Sequence, residues 1–232
     1  EYSGEIHCVN CGRKTNKSFN QGYCFPCLQN LAQCDSCIIH PEKCHFDQGT
    51  CREPSWGERH CMQDHIVYLA NSSGLKVGIT RATQVPTRWI DQGATQALAI
   101  ARVRTRLQSG ELEVIFKQHV ADKTNWREML KGTAQELDMK AKSVGLIEEC
   151  GSEIAQLKER FGFFAISMLT GIEPVEIVYP VVRYLEKINS FNFDKDPVVE
   201  GMLLGIKGQY LIFDSGVINM RRFSGYDVEV SS

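Results

Sequence analysis

A chain of 232 residues, 43% apolar and 23% charged, is long enough for one large domain or two small ones and has the composition of an ordinary globular protein. A formal charge of −2 argues against a strongly basic nucleic-acid binder, though not against a local basic stripe. No apolar run approaches the roughly 18 residues of a membrane span, and EYSGEIHC lacks a basic stretch leading into an apolar run, so a cytoplasmic protein without membrane contact is expected.

The first elements are set by cysteine. Nine of the ten cysteines lie between Cys8 and Cys61, and Cys150 stands apart. HCVNCGRKTNKSFNQGYCFPCL is C-x2-C, twelve residues, then C-x2-C. Each pair brings two thiolates near one metal, and the intervening chain suffices for a hairpin that returns the second pair to the first. The spacing is that of a zinc ribbon, with Cys8, Cys11, Cys24 and Cys27 as four ligands of a closed structural Zn²⁺ site. A second cluster, CDSCIIHPEKCHFDQGTCREPSWGERHC, offers Cys34, Cys37, Cys44, Cys51 and Cys61, with His40, His45, His60 and His65 nearby. Cys34, Cys37, Cys44 and Cys51 are the expected ligands of a second structural zinc, with Cys61 in reserve. An interleaved arrangement and an iron–sulfur cluster are the alternatives. A segment with so few large apolar residues draws much of its folding free energy from metal, so no catalysis is assigned to these cysteines.

EPSWGE is a turn-rich connection, after which HIVYLA reads as a buried strand, Asn71-Ser72-Ser73-Gly74 as a turn and LKVGIT as the partner strand. Thr83–Ala94 contains Pro86 and suits a short helix carrying Arg88 and Trp89. ALAIARVRTR, Ala97–Arg106, predicts a third strand on which Arg102, Arg104 and Arg106 face one way. SGELEVIFKQHV opens with Ser109 as a cap and places Leu112, Ile115, Phe116 and His119 at helical spacing. A long helical stretch runs from Trp126 to about Arg160, broken near Gly145 and Gly151. Val175–Tyr184 predicts an edge or bulged strand with Pro180 in it. From Pro197 onward short β runs are cut by Gly205, Gly208, Gly216 and Gly225, as in a small barrel-like sheet completed by the N-terminal strand.

The order hairpin, helix, strand, helix, with VYL and KVG on adjacent strands, resembles the GIY-YIG nuclease superfamily over roughly residues 65 to 130. The resemblance implies that Tyr68 stands for the Tyr of the first signature and Lys76, Val77 and Gly78 for the second. Arg88 occupies the position of the helix Arg, Glu113 that of the metal-binding Glu, and Asn125 that of a late Asn. Ile66 and Val67 replace the Gly-Ile of the first signature, and Lys76 replaces the second Tyr. The implied chemistry is phosphodiester hydrolysis. Glu113 would hold Mg²⁺ or Mn²⁺, Arg88 would bind the scissile phosphate, Tyr68 would orient or deprotonate water, and Lys76 would take the place of the second Tyr. Arg81, Trp89, Gln92 and Asn125 complete the set as substrate-binding residues, RWIDQGA suiting a binding surface better than packing. Each also has a packing reading: Tyr68 and Trp89 as core aromatics, Glu113 as a solvent-facing helix residue, His119 as a satisfied helix histidine. Lys207 and Arg221-Arg222 read equally as a solvated face or a phosphate contact.

Over nearly its whole length the chain also resembles an uncharacterised bacterial zinc-binding family, domain of unknown function 2797, through KSFNQGYC, CREPSWGE, VYLANSSGLKVGITR, RWIDQGA and GIKGQYLI. That resemblance implies no activity.

The expectation is an α+β protein in three parts: residues 1–64 as a zinc-binding module, 65–170 as a GIY-YIG-like core with a helical extension, and 171–232 as a small β module. The expected function is nucleic-acid binding, of DNA or RNA, with metal-dependent, structure-specific phosphodiester cleavage by the core. The alternative is a catalytically inactive docking module in a protein or ribonucleoprotein assembly.

Overall fold

The computed structural model describes residues 1–121 and 123–231. In chain order the elements are β1 (Tyr2–Ile6), α1 (Phe25–Asn30), α2 (Pro54–His60), β2 (His65–Asn71), β3 (Leu75–Arg81), α3 (Thr87–Asp91), β4 (Gln96–Val103) and α4 (Arg106–Phe116). There follow α5 (Trp126–Lys131), α6 (Met139–Glu149), α7 (Gly151–Phe161), β5 (Ile166–Met168), β6 (Val175–Glu176), β7 (Leu203–Lys207), β8 (Tyr210–Phe213), β9 (Val217–Asn219) and β10 (Tyr226–Val228). Between α1 and α2 the chain runs through four short 3-10 turns, the form taken by a cysteine-rich segment with little apolar surface to bury. The fold is α+β.

Two compact units divide the chain: Glu1–Asp35 with Tyr179–Ser232, and Ser36–Val178. The first boundary thus falls inside the second cysteine cluster rather than at residue 64, and the C-terminal residues share a unit with the N-terminal ones.

In the unit containing both termini, β1 pairs antiparallel with β10, and β7, β8 and β9 form a three-stranded antiparallel meander. The core here is Phe193, Ile218 and Phe223, with Tyr2 and Tyr226 packed against it. The Tyr2 and Tyr226 rings meet tilted at 45°, with centroids 4.9 Å apart. The expected N-terminal strand is therefore present, but among the described residues the strands close no barrel. The pair and the meander are separate sheets.

In the other unit the sheet order is β3-β2-β4-β5, all neighbours antiparallel, with β6 also on β4. β2 is buried along its entire length, as befits a central strand of continuous apolar character. Alternation along β2 divides two cores. Val67 and Leu69 face Ile100, Leu112, Phe116, Met139 and Ile154, while Ile66, Tyr68 and Ala70 face Trp89, Ala94 and Ala97.

Four local expectations are corrected. Strand β4 ends at Val103, so Arg106 is the first residue of α4 and does not share a face with Arg102 and Arg104. The cap of α4 is Thr105, in a reciprocal capping box with Gln108, whereas Ser109 lies inside the helix. The helical stretch breaks at Cys150, beside Gly151 as expected, but also after α5, which is capped by Asn125 and stopped by left-handed Gly132, while α6, capped by Asp138, runs unbroken through Gly145. Only Val175–Glu176 of the expected Val175–Tyr184 strand is extended in a sheet.

Candidate functional site

The N-terminal unit holds a four-sulfur site. Two tight turns place their amides around Cys8: Cys8 N–H donates to Arg13 O, Gly12 N–H to Cys8 O, and Val9 N–H to Gly22 O. The sulfurs of Cys8, Cys11, Cys24 and Cys27 all lie within 4.8 Å of one another, Cys11 and Cys24 at 3.7 Å. Tetrahedral zinc with bonds of about 2.3 Å requires sulfurs about 3.8 Å apart, so the donor set fits a structural zinc. Burial acts against the Cys8 thiolate, but N–H groups of Cys11, Cys24 and Asn10 and the Cys11 thiol aim at it and draw it down to about 6. Burial and the neighbouring Cys24 thiol instead push Cys27 up to about 12, while Asn10 Nδ2 donates to its sulfur at 3.5 Å. Sulfurs that divide charge so unequally without a metal become equal ligands once one cation binds all four.

In the second cysteine segment, Cys44 hydrogen-bonds the thiols of Cys37 and Cys61. The sulfur of Cys51 lies 3.2 Å from where a Cβ on Gly57 would stand, under α2 beside the Phe46 ring. Cys34 closes the 3-10 turn Ala32–Cys34 in the unit of the four-sulfur site, where its charge reaches the Tyr23 phenol.

The central hairpin builds a polar site on the Tyr68 face. Tyr68 pairs across the strands with Gly78, and Ala70 with Lys76, so Lys76 lies two residues along the same face. A Cβ on Gly78 would stand 2.8 Å from the end of the Tyr68 ring; glycine is what admits the ring there. Trp89, only 4% exposed, meets Tyr68 edge-to-face at 5.8 Å and packs the ring in place. The Tyr68 hydroxyl donates to Gln92 Oε1 at 2.9 Å and accepts from Arg88. Burial pushes the phenol up to about 12, with the Arg88 charge opposing and that of Glu113 reinforcing the shift. Arg88, Gln92 and Glu113 thus each act on Tyr68. Glu113 is buried on α4 and receives the Lys117 ammonium at 3.2 Å.

The remaining expected residues have other engagements. Lys76 Nζ donates to Thr124 Oγ1 at 2.6 Å. Asn125 caps α5 through Glu128 N–H and hands its own N–H to Ser73 Oγ at the hairpin turn. Arg81 ends β3 opposite His65. His119 Nδ1 lies 3.1 Å from Glu149.

The chain matches, over residues 1–228, the model of a family described as protein of unknown function (DUF2797). It belongs to that family. No curated protein and no solved structure matches it. The comparisons give no match to the GIY-YIG nucleases, so that resemblance rests on the short signatures alone. No helix among the described residues is long and apolar enough to cross a membrane.

One feature of this DUF2797 chain escaped the sequence reading. Phe163 and Phe164, in the 3-10 turn just past α7, are 70% and 77% exposed and meet edge-to-face at 5.4 Å. Lys158 Nζ lies 5.4 Å from the Phe163 ring, and Arg160 lies 4.7 Å from that of Phe161. The signal was FGFF following KER, an aromatic run directly after a basic helix end.

Proposed function

We propose that the protein binds nucleic acid and that the Tyr68–Arg88–Gln92–Glu113 site hydrolyses phosphodiester bonds with a divalent cation. The observation that carries this reading is the Tyr68 hydroxyl, held between Arg88 and Gln92 with the Glu113 carboxylate acting on it. Glu113 is the oxygen donor that would hold Mg²⁺ or Mn²⁺, and such an ion supplies charge neutralisation at the phosphate and the leaving oxygen. Arg88, half-exposed on α3, presents a planar multi-donor cation to a phosphate. Tyr68 stays protonated at neutral pH, so it orients water or phosphate as a donor and does not act as a base. The exposed Phe163-Phe164 pair with its flanking cations supports a single-stranded or splayed substrate, because base–aromatic stacking tolerates any sequence.

The test is a panel of labelled structured DNAs and RNAs incubated with Mg²⁺ or Mn²⁺. Arg88→Ala and Glu113→Ala are expected to abolish cleavage, and Phe163→Ala to weaken binding by about 1 to 3 kcal/mol without changing the chemistry. Binding without cleavage by the unmodified protein would leave the docking module, and cleavage retained by Glu113→Ala would exclude this site.

A further inference from the structure

The sequence expectation for a second metal combined Cys34, Cys37, Cys44 and Cys51. The geometry points to a different set: we infer that Cys37, Cys44 and Cys61 hold a second structural zinc, and that this zinc braces the start of α4. The inference is independent of the phosphodiester reading.

Three observations carry it. First, the Cys44 thiol hydrogen-bonds both Cys37 and Cys61, gathering three sulfurs from three separate segments. Cys37 lies in the 3-10 turn Ser36–Ile38, Cys44 follows the turn Pro41–Lys43, and Cys61 caps the C-terminal end of α2. Hydrogen-bonded thiols alone give such a junction little stability, whereas a shared cation fixes all three segments.

Second, a half-buried cation lies beside them. The Arg106 guanidinium donates to Ile38 O at 2.6 Å and to Cys37 O at 3.4 Å, and its charge acts on Cys61, Cys37 and Cys44. Burial works against the arginine's charge. Zn²⁺ bound by the three sulfurs as thiolates leaves the complex with one net negative charge beside Arg106.

Third, the loop so fixed is docked without clearance on α4. A Cβ on Gly110 would stand 2.3 Å from Glu42 N and 2.5 Å from Pro41 C, and Arg106 N–H donates to Cys61 O. Glycine at 110 is what lets the turn between Cys37 and Cys44 touch the helix backbone. A ring nitrogen of His45 lies within 4.8 Å of the Cys37 sulfur, so the imidazole supplies a fourth donor of the right type. Cys51, under Gly57, lies outside the set.

The experiment is metal analysis of the full chain with stepwise mercurial titration. The wild-type protein is expected to release two zinc ions in two phases, so the assignment does not hang on any variant folding. Cys61→Ser is expected to carry one, Cys51→Ser two. Cobalt substitution of Cys11→Ser, which leaves only the proposed site, is expected to show thiolate-to-metal charge transfer that vanishes when Cys61→Ser is added. A single zinc in the wild type, two zincs in Cys61→Ser, loss in Cys51→Ser equal to that in Cys61→Ser, or iron with sulfide in place of zinc would each overturn the assignment.

Discussion

The Tyr68 hydroxyl donates to Gln92 Oε1 at 2.9 Å while accepting from Arg88, and the phenol is fully buried. This has a signed consequence for alkaline stability. The folded-state value of about 12 lies above the ordinary 10.0, so the folded chain keeps a proton that the unfolded chain loses. The stabilising contribution is complete below pH 10 and is lost as pH rises toward 12. Two units correspond to about 3 kcal/mol. Urea unfolding of wild type and Tyr68→Phe between pH 9 and about 11.5 should show the steeper loss in wild type. Equal slopes would place the phenol in water instead.

Gly78 admits the Tyr68 ring at 2.8 Å from where a Cβ would stand. Gly78→Ala must displace an aromatic ring wedged against Trp89, and overpacking of this kind costs about 1 to 3 kcal/mol. The displacement also draws the hydroxyl away from Arg88 and Gln92. The expected result is a lower melting temperature together with a loss of cleavage larger than the stability change explains. Wild-type cleavage in a destabilised Gly78→Ala would detach Tyr68 from the chemistry.

How much of this was legible beforehand follows from which interactions are local. The C-x2-C pairs are local: two residues between thiolates force them onto one metal, and the four sulfurs do converge. The hairpin from His65 to Arg81 was equally plain, because β-branched runs flank Ser-Ser-Gly. Asn125 and Thr105 as caps were missed because an N-cap is decided by backbone geometry as much as by residue type, and Ser109 offers the same hydroxyl four residues later. The meeting of Cys61 with Cys44 and Cys37 was hidden for a stronger reason. It depends on how α2 is turned, and five cysteines at irregular spacing do not say which three touch. The exposure of Phe163 and Phe164 was hidden too, since FGFF reads as core until the burial is known.

Removal of zinc from the four-sulfur site should unfold its surroundings. The segment from Cys8 to Cys27 has only isolated bridges, His7 to Lys14 and Phe19 to Tyr23, and α1 has no buried residue. Beyond metal, its ties include the Phe19–Phe25 ring contact and single hydrogen bonds to Ser224 and Arg221. Dialysis against a strong chelator, or Cys11→Ser, should destabilise this unit by several kcal/mol and increase proteolysis between Cys8 and Cys27. Protection unchanged by the chelator would mean that the thiols close the site unaided.

Lys207 tests a different kind of buried charge. Its side chain on β7 is 0% exposed, and its Nζ lies 5.4 Å from the Tyr179 ring and 5.1 Å from that of Tyr184, with no hydrogen-bond partner among the described residues. Two ring faces return about 0.5 to 2 kcal/mol each at most, less than a buried ammonium loses in hydration. Burial accordingly holds Lys207 below its ordinary 10.5. The folded chain gives up this proton before the unfolded chain does, so the penalty is complete below the folded value and fades as pH rises toward 10.5. Lys207→Met keeps the stem and removes the charge. It should gain about 1 kcal/mol at pH 7 in urea unfolding, with the advantage shrinking toward pH 10. A loss of stability in Lys207→Met at neutral pH would show that the two tyrosines outweigh the desolvation, and would make the cage a stabilising element.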